Sequence, residues 1–96
     1  MNNKITFATK EIPLADGTAY RRTIYRVGGK VCAFMDRGRG RISVHVGKPS
    51  DRETLSFTWP DSPEGEKKAL AKTTLICQGA MQWNAIITGA INRNAS

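Results

Sequence analysis

Glycine-containing turn signals divide the first sixty residues into short segments of alternating polarity. Asp16-Gly17 and Gly28-Gly29 favour tight hairpin turns, and Lys48-Pro49 marks a later break. Pro13 restricts the end of the first segment to an edge or irregular strand. Because short strands joined by tight turns pair as neighbours, the sequence predicts an antiparallel sheet. Its strands are expected at about residues 5–14, 19–27, 30–36, 41–46 and 54–59.

A helix start signal follows the last predicted strand. In the segment PDSPEGEK, either Asp61 or Ser62 suits the N-cap, Pro63 suits the first turn, and Glu64 and Glu66 complement the helix dipole. With Asp61 as the cap, Glu64 would complete a capping box. An apolar stripe then runs towards Asn92 through Ala69, Ile76, Ala80, Trp83, Ile87 and Ile91.

These patterns together predict an α+β protein with one domain over residues 1–96. An antiparallel sheet of four to five strands occupies residues 1–59, and one long helix over residues 61–92 packs on one of its faces. No apolar run reaches the roughly 18 residues needed to cross a bilayer, and the first ten residues do not resemble a signal peptide. We therefore expect a cytoplasmic protein that does not bind membranes.

The hairpin turns also predict which side chains share a face of the sheet. A two-residue loop at Gly28-Gly29 places Tyr25 opposite Cys32, and a four-residue loop at 37–40 places Ala33 opposite Val44. The expected core face holds Ile24, Val31, Ala33, Met35, Ile42, Val44, Val46, Leu55, Phe57 and Trp59. The expected outer face holds Arg21, Thr23, Tyr25, Cys32, Phe34, Arg41, Ser43 and His45. Rings and cations are thus predicted to lie together.

The positive charge of the chain is concentrated in its second third. Nine basic residues and two acidic ones lie between Arg21 and Arg52, which accounts for the whole net charge of +7. Three of the arginines alternate with glycines in the segment DRGRGR at residues 36–41. Such segregation indicates a directed electrostatic field towards an anionic partner rather than general solubility.

Cations beside exposed rings favour nucleic-acid binding. Lysine and arginine neutralise phosphates, and aromatic rings stack on unpaired bases, so single strands suit this surface better than a duplex. The predicted binding residues are Arg21, Tyr25, Phe34, Arg37, Arg39, Arg41, His45 and Lys48. Tyr25 and Phe34 are expected to stack on bases, while the arginines and Lys48 contact phosphates with little sequence preference.

A protein-binding or assembly module is the alternative interpretation. Tyr25, Phe34 and Cys32 could form the centre of a protein contact with arginines at its rim, as in an inhibitor that docks on an acidic host protein. Leu75 and Ile86 lie eleven positions apart on the polar side of the predicted helix. They suggest a subunit contact and hence a homodimer.

Catalysis has little support in the sequence. His45 is the sole histidine, and the carboxylates cluster in turns or in the first turn of the helix. Cys32 and Cys77 lack metal-ligand spacing and are expected to be small apolar fillers. No phosphate-binding glycine motif is present. We therefore expect no enzyme activity, no metal and no cofactor.

Overall fold

A five-stranded sheet and one long helix make up the protein. The computed structural model describes the backbone of residues 4–95 and the side chains of residues 4–82. The strands are β1 (Ile5–Pro13), β2 (Ala19–Val27), β3 (Lys30–Gly38), β4 (Arg41–Val46) and β5 (Leu55–Pro60), and the helix is α1 (Pro63–Ala95). The strands form an antiparallel meander in chain order, and α1 packs on one face. The predicted α+β architecture is therefore confirmed.

The turn between β3 and β4 is tighter than predicted. Gly38 pairs with Arg41, so that Arg39 and Gly40 alone form the loop, with φ angles of 54° and 74°. Two consecutive positive φ angles are the mark of a type I′ turn, whose twist matches that of the flanking strands. Met35 consequently pairs with Val44 rather than with Ile42. A shift of two residues keeps the side chains of β4, and those of β3 from Ala33 onward, on their predicted faces. Cys32, which was predicted on the outer face, instead contacts Cys77 of α1.

A β-bulge in β3 overturns the predicted faces of β2. Arg26 pairs with Val31 as a two-residue loop requires, but Tyr25 pairs with Ala33, which leaves Cys32 as an extra residue. Beyond the bulge the register differs by one residue from the prediction, and a one-residue shift exchanges the two faces. Tyr25 therefore lies on the face covered by α1, whereas Ile24, which was predicted to be in the core, lies on the other face.

We call the covered side of the sheet the helix face and the opposite side the open face. The core lies on the helix face, where Met35, Ile42, Val44 and Ala69 form a buried cluster. Tyr25, Trp59 and Ile76 pack around this cluster. The predictions for Ala33, Met35, Ile42, Val44, Ala69 and Ile76 are thus confirmed, whereas the side chains of Trp83, Ile87 and Ile91 lie outside the described residues.

The start of α1 is fixed by one of the two predicted caps. The backbone N–H of Gly65 donates to Ser62 Oγ at 3.0 Å, and Glu66 N–H donates to the carbonyl of Ser62 at 2.8 Å. Ser62 is therefore the N-cap and Pro63 the first helical residue. Asp61 is therefore not the N-cap, and the predicted capping box between Asp61 and Glu64 is wrong. Its carboxylate binds Arg37 at the end of β3 instead, at 2.7 Å.

The helix covers only part of the sheet. It contacts β2, β3, β4 and β5, while β1 lies beside it, so a strip of the helix face next to β1 stays uncovered. With 33 residues, α1 is about 50 Å long, whereas a nine-residue strand spans about 30 Å. Within the part of the chain that the structure describes, no helix has the length and apolarity to span a bilayer.

Candidate nucleic-acid interface

The open face presents side chains from all five strands without a covering element. By strand alternation it carries apolar, hydroxyl and charged groups in close succession. Its members are Thr6, Ala8, Lys10, Ile12, Tyr20, Arg22, Ile24, Arg26, Phe34, Asp36, Arg41, Ser43, His45, Ser56 and Thr58. Asp36 is the one carboxylate among these described residues, so the open face is basic.

A single aromatic ring is buried at the centre of the open face. Phe34 is only 5% exposed although no helix lies over it. The imidazole of His45 stacks on its ring with 4.4 Å between centroids, and the guanidinium of Arg22 lies 4.8 Å from its centroid. These two side chains cover the ring by stacking and by a cation–π contact. Phe34 is therefore unable to receive a base unless its neighbours move.

Arg22 and Asp36 form a two-pronged ion pair beside this ring. Arg22 donates from Nε and Nη2 to the two carboxylate oxygens at 2.8 and 3.0 Å, and Nη2 also donates to Tyr20 Oη at 3.1 Å. The hydrogen bond to Asp36 raises the pKa of Arg22 above its ordinary value. Because each charge is matched by the other, Arg22 contributes little net field to the open face.

His45 completes the polar network over Phe34. Its Nδ1 lies 2.6 Å from Ser56 Oγ, and its Nε2 lies 3.7 Å from Asp36 Oδ2. Burial lowers the pKa of His45, and this effect outweighs the opposing influence of Asp36. The imidazole is therefore neutral at pH 7, and it adds no charge for phosphate binding.

A depression of about 540 Å³ lies at the end of the open face near the β3–β4 turn. It is lined by Leu14, Tyr20, Asp36, Gly38, Arg39, Arg41 and Ser43. A β carbon at Gly38 would come within 2.8 Å of Tyr20 Cβ, so glycine lets the tyrosine lie directly over the strand. The depression thus combines an aromatic ring with two arginines.

The two arginines of this depression differ in their partners. Arg39 Nη2 donates to Asp16 Oδ2 at 2.7 Å, and both side chains are at least half exposed. Such an exposed pair is weak and exchanges readily with another anion. Arg41 is exposed and forms no ion pair with a described residue. Both cations are thus accessible to a phosphate.

Several predicted site residues are not on the open face. Arg21 and Tyr25 lie on the helix face because of the bulge, and Lys48 lies in the loop between β4 and β5. Arg37 also points to the helix face, where Asp61 at 2.7 Å and Glu66 at 3.5 Å neutralise it. The expectation that Tyr25 and Phe34 form one aromatic platform is therefore wrong.

Four of the predicted binding residues lie on or beside the open face, together with four residues that the sequence analysis did not predict. Phe34, Arg41 and His45 lie on the open face, and Arg39 lies at its rim. The missed residues are Lys10, Tyr20, Arg22 and Arg26. In the unbulged register that the sequence predicts, strand alternation would turn Arg22 and Arg26 to the same face as Ile24, towards the helix. Their charge was a signal against that placement, because unpaired arginines are rarely buried.

A second feature lies on the uncovered strip of the helix face, which we call the β1 strip: Ile5, Phe7, Thr9, Tyr25 and Leu70. Phe7 is 70% exposed and its ring lies 6.0 Å from that of Tyr25. Ile5 and Leu70 are also exposed. Thr9, Tyr25 and Leu70 help to line a groove of about 390 Å³ between the sheet and α1. Three of the five large hydrophobic side chains that are exposed among the described residues lie on this strip.

The described residues contain no group of histidine, cysteine and carboxylate side chains that could hold a metal ion. Comparison with known proteins finds no matching family, no matching curated protein and no matching solved structure. The geometry and charge of the chain itself are therefore the basis for a functional proposal.

Proposed function

We propose that this protein binds single-stranded nucleic acid through phosphate contacts on the open face and on the Arg39-Gly40 turn. The supporting observation is the charge balance of that face. Lys10, Arg26 and Arg41 form no ion pair with a described residue, and the carboxylate of Asp36 is already bound by Arg22. Cations without a carboxylate partner release counterions when they bind phosphates, which drives sequence-independent association.

The shape of the open face favours single strands over a duplex. No helix of the described residues projects from it, so it presents no recognition helix for a major groove. A single strand can instead lie flat across the strands and reach the depression at the turn. There, the partly exposed ring of Tyr20 lines the depression, with the guanidinium of Arg22 5.3 Å from its centroid, and it is the ring that we expect to meet a base. Low sequence specificity follows, because phosphate contacts carry no base information. A cytoplasmic location is part of the same proposal.

Salt-dependent binding tests this proposal. Labelled single-stranded DNA, single-stranded RNA and duplex DNA are titrated by fluorescence anisotropy at about 50 and 200 mM salt. In the double variant Arg26→Ala/Arg41→Ala, the slope of log K against log salt should become shallower by about 1.4 for single strands. The matched control is Lys67→Ala/Lys68→Ala on α1, which removes equal charge from exposed positions. Equal slopes in both variants, or no binding at the lower salt, would reject the proposal.

A protein-binding or assembly role is the second candidate, and the β1 strip favours it. An exposed ring such as that of Phe7 on an edge strand is typical of surfaces that receive another protein chain. A second copy of this chain is one such partner, and an acidic protein on the open face is another. Leu75 is exposed on α1, as a dimer contact requires, whereas the side chain of Ile86 lies outside the described residues.

Light scattering separates the two proposed dimer contacts. Phe7→Ser should reduce the molecular mass in solution if the β1 strip is the contact, and Leu75→Ser should do so if α1 is the contact. The mass of a monomer for the unmodified protein would reject both contacts. Neither result bears on the salt dependence of nucleic-acid binding, provided that the variants keep the wild-type far-UV circular dichroism.

A further inference from the structure

The two cysteines meet in the fold although the sequence separates them by 45 positions. Cys32 is the extra residue of the bulge in β3, and the bulge turns it towards α1, where Cys77 lies in the middle of the helix. The two Sγ atoms are 3.3 Å apart. A disulfide needs about 2.05 Å, so the sulfurs must approach each other by about 1.3 Å. Small side-chain rotations can supply that distance.

Hydrogen bonds connect the two thiols. Cys32 Sγ lies 3.5 Å from the carbonyl oxygen of Tyr25, to which its S–H donates, and 3.3 Å from Cys77 Sγ. With the Cys32 proton directed at Tyr25, the S–H of Cys77 donates to Cys32 Sγ. Burial and this hydrogen bond raise the pKa of Cys77 to about 12. Cys77 therefore stays protonated and is a poor nucleophile on its own.

Solvent reaches one of the two cysteines and not the other. Cys77 is only 1% exposed, whereas Cys32 is partly exposed and lines an open depression of about 400 Å³. Lys30 and Ile76 lie on the walls of the same depression. A small oxidant can therefore reach Cys32 from solvent and has no such route to Cys77. This asymmetry is that of a peroxide-reactive cysteine beside a resolving cysteine.

We propose that Cys32 and Cys77 are an oxidation site that hydrogen peroxide converts into a disulfide between β3 and α1. Cys32 loses its proton to solvent, its thiolate attacks one peroxide oxygen, and the O–O bond breaks. A sulfenic acid forms, and the hydroxide that leaves takes up a proton to become the first water. Cys77 sulfur then attacks the Cys32 sulfur, and the S–O bond breaks. The leaving hydroxide takes the Cys77 proton as water. Both sulfurs are oxidised, and one peroxide is reduced to two waters.

The disulfide would fasten α1 to β3 at the end of the sheet that carries the Gly28-Gly29 turn. A thiol reductant reverses it, so the site can report on the redox state of its compartment. Because the loop that it closes contains about half of the chain, the melting temperature should rise by on the order of 10 °C on oxidation. The rise should disappear after addition of dithiothreitol.

Peptide mapping by mass spectrometry tests the proposal on the full chain. After exposure to hydrogen peroxide and digestion under non-reducing conditions, we expect a peptide pair that joins Cys32 to Cys77 within one chain. In Cys77→Ala, where no resolving thiol is present, a sulfenic-acid probe such as dimedone should label Cys32. In Cys32→Ser, the probe should leave Cys77 unlabelled. These variants also serve as controls for the melting temperature, which peroxide should no longer raise.

Three outcomes would overturn the proposal. The first is a wild-type protein that keeps two free thiols under peroxide conditions that oxidise an exposed cysteine peptide. The second is cross-linking between chains alone, and the third is labelling of Cys77 in Cys32→Ser. The first two outcomes come from the wild-type protein, so they do not depend on the folding of a variant.

Discussion

The two faces of the sheet bury side chains by different means. On the helix face, α1 excludes water from Ile42 and Val44 through apolar contact. On the open face, Phe34 is nearly as buried, yet the groups above it are Arg22 and His45. The stems and flat heads of such side chains cover apolar surface while their polar atoms face water or one another. A sheet can thus protect a ring on a face that also carries charge.

The difference has a functional meaning. The part of the helix face that lies under α1 is closed to a ligand, whereas the open face keeps an uncovered surface above its buried ring. The cations that are not needed to cover that ring, Lys10, Arg26 and Arg41, remain available to phosphates. Four predictions test how far the two faces differ, beginning with the largest expected effect.

Shortening one large apolar side chain on each face should show the difference between the faces most clearly. Ile42→Ala removes a fully buried side chain from the helix face and should lower the free energy of unfolding by about 3 kcal/mol, because it leaves a cavity under α1. Ile24→Ala on the open face, where the side chain is partly exposed, should cost less than about 1.5 kcal/mol. Urea denaturation followed by circular dichroism measures both. Equal losses would show that the open face supports a second core.

The Arg22–Asp36 pair should show a moderate coupling. Both side chains are about one fifth exposed, at 19% and 21%, so the pair lies between a buried and a surface salt bridge. A double-mutant cycle with Arg22→Ala and Asp36→Ala should give about 1–2 kcal/mol of coupling. The more exposed Arg39–Asp16 pair provides the comparison and should give less than about 1 kcal/mol. Equal coupling energies for the two pairs would show that partial burial does not strengthen the Arg22–Asp36 pair.

Acidification below about pH 7 should lower the stability of the protein through His45 on the open face. The pKa of His45 is lower in the folded protein than its ordinary value of 6.5, so the unfolded chain takes up the proton first. Stability is therefore full above about pH 7 and falls as the pH drops through 6.5. The loss should be less than about 1 kcal/mol between pH 7 and 5.5, and it should vanish in His45→Asn. A flat wild-type profile over this range would contradict the assignment.

Below that range the aspartates add a separate effect. The pKa values of Asp61 and Asp16 are lowered in the fold, the first by its hydrogen bond to Arg37 and the second mainly by Thr18. Their contributions are present above the ordinary aspartate value and are lost at lower pH. The His45 comparison therefore has to be made at pH 5.5 and above, where both carboxylates stay ionised.

The smallest expected change in stability lies at the rim of the open face. Arg39 has a left-handed φ of 54°, which asparagine adopts more readily than arginine. Arg39→Asn should therefore stabilise the protein by about 0.5 kcal/mol, after the loss of its weak pair with Asp16. It should nevertheless weaken binding to single-stranded DNA, because a phosphate contact disappears. Thermal melts and anisotropy titrations measure the two effects, and unchanged affinity would remove the turn from the proposed interface.

Local signals were sufficient to predict much of the fold. Turn residues marked every hairpin, and the capping segment at 61–66 marked the helix start to within two residues. Alternation gave the correct faces of β4, of β5 and of β3 from Ala33 onward, because Met35, Ile42 and Val44 are separated by polar or charged residues such as Asp36 and Ser43. Apolar periodicity over several consecutive strands leaves few alternative registers.

The candidate site was harder to predict because it depends on one bulge. Cys32 and Ala33 are both small and apolar, and Ile24 and Tyr25 are both large and apolar, so neither strand indicates which residue is extra. The cover over Phe34 also depends on residues that are far apart in the sequence. Arg22 on β2 and His45 on β4 reach over Phe34 from the two strands that flank β3, and no local sequence pattern indicates that contact.

The bulge at Cys32 makes a single irregular position a determinant of surface chemistry in this protein. If Cys32 paired regularly with Tyr25, the register beyond it would shift by one residue, which would place Arg21 and Tyr25 on the open face and turn Arg22 and Arg26 towards the helix. Composition, isoelectric point and hairpin loops would stay the same. Relatives that keep this residue but lose the bulge should therefore diverge in what they bind well before they diverge in fold.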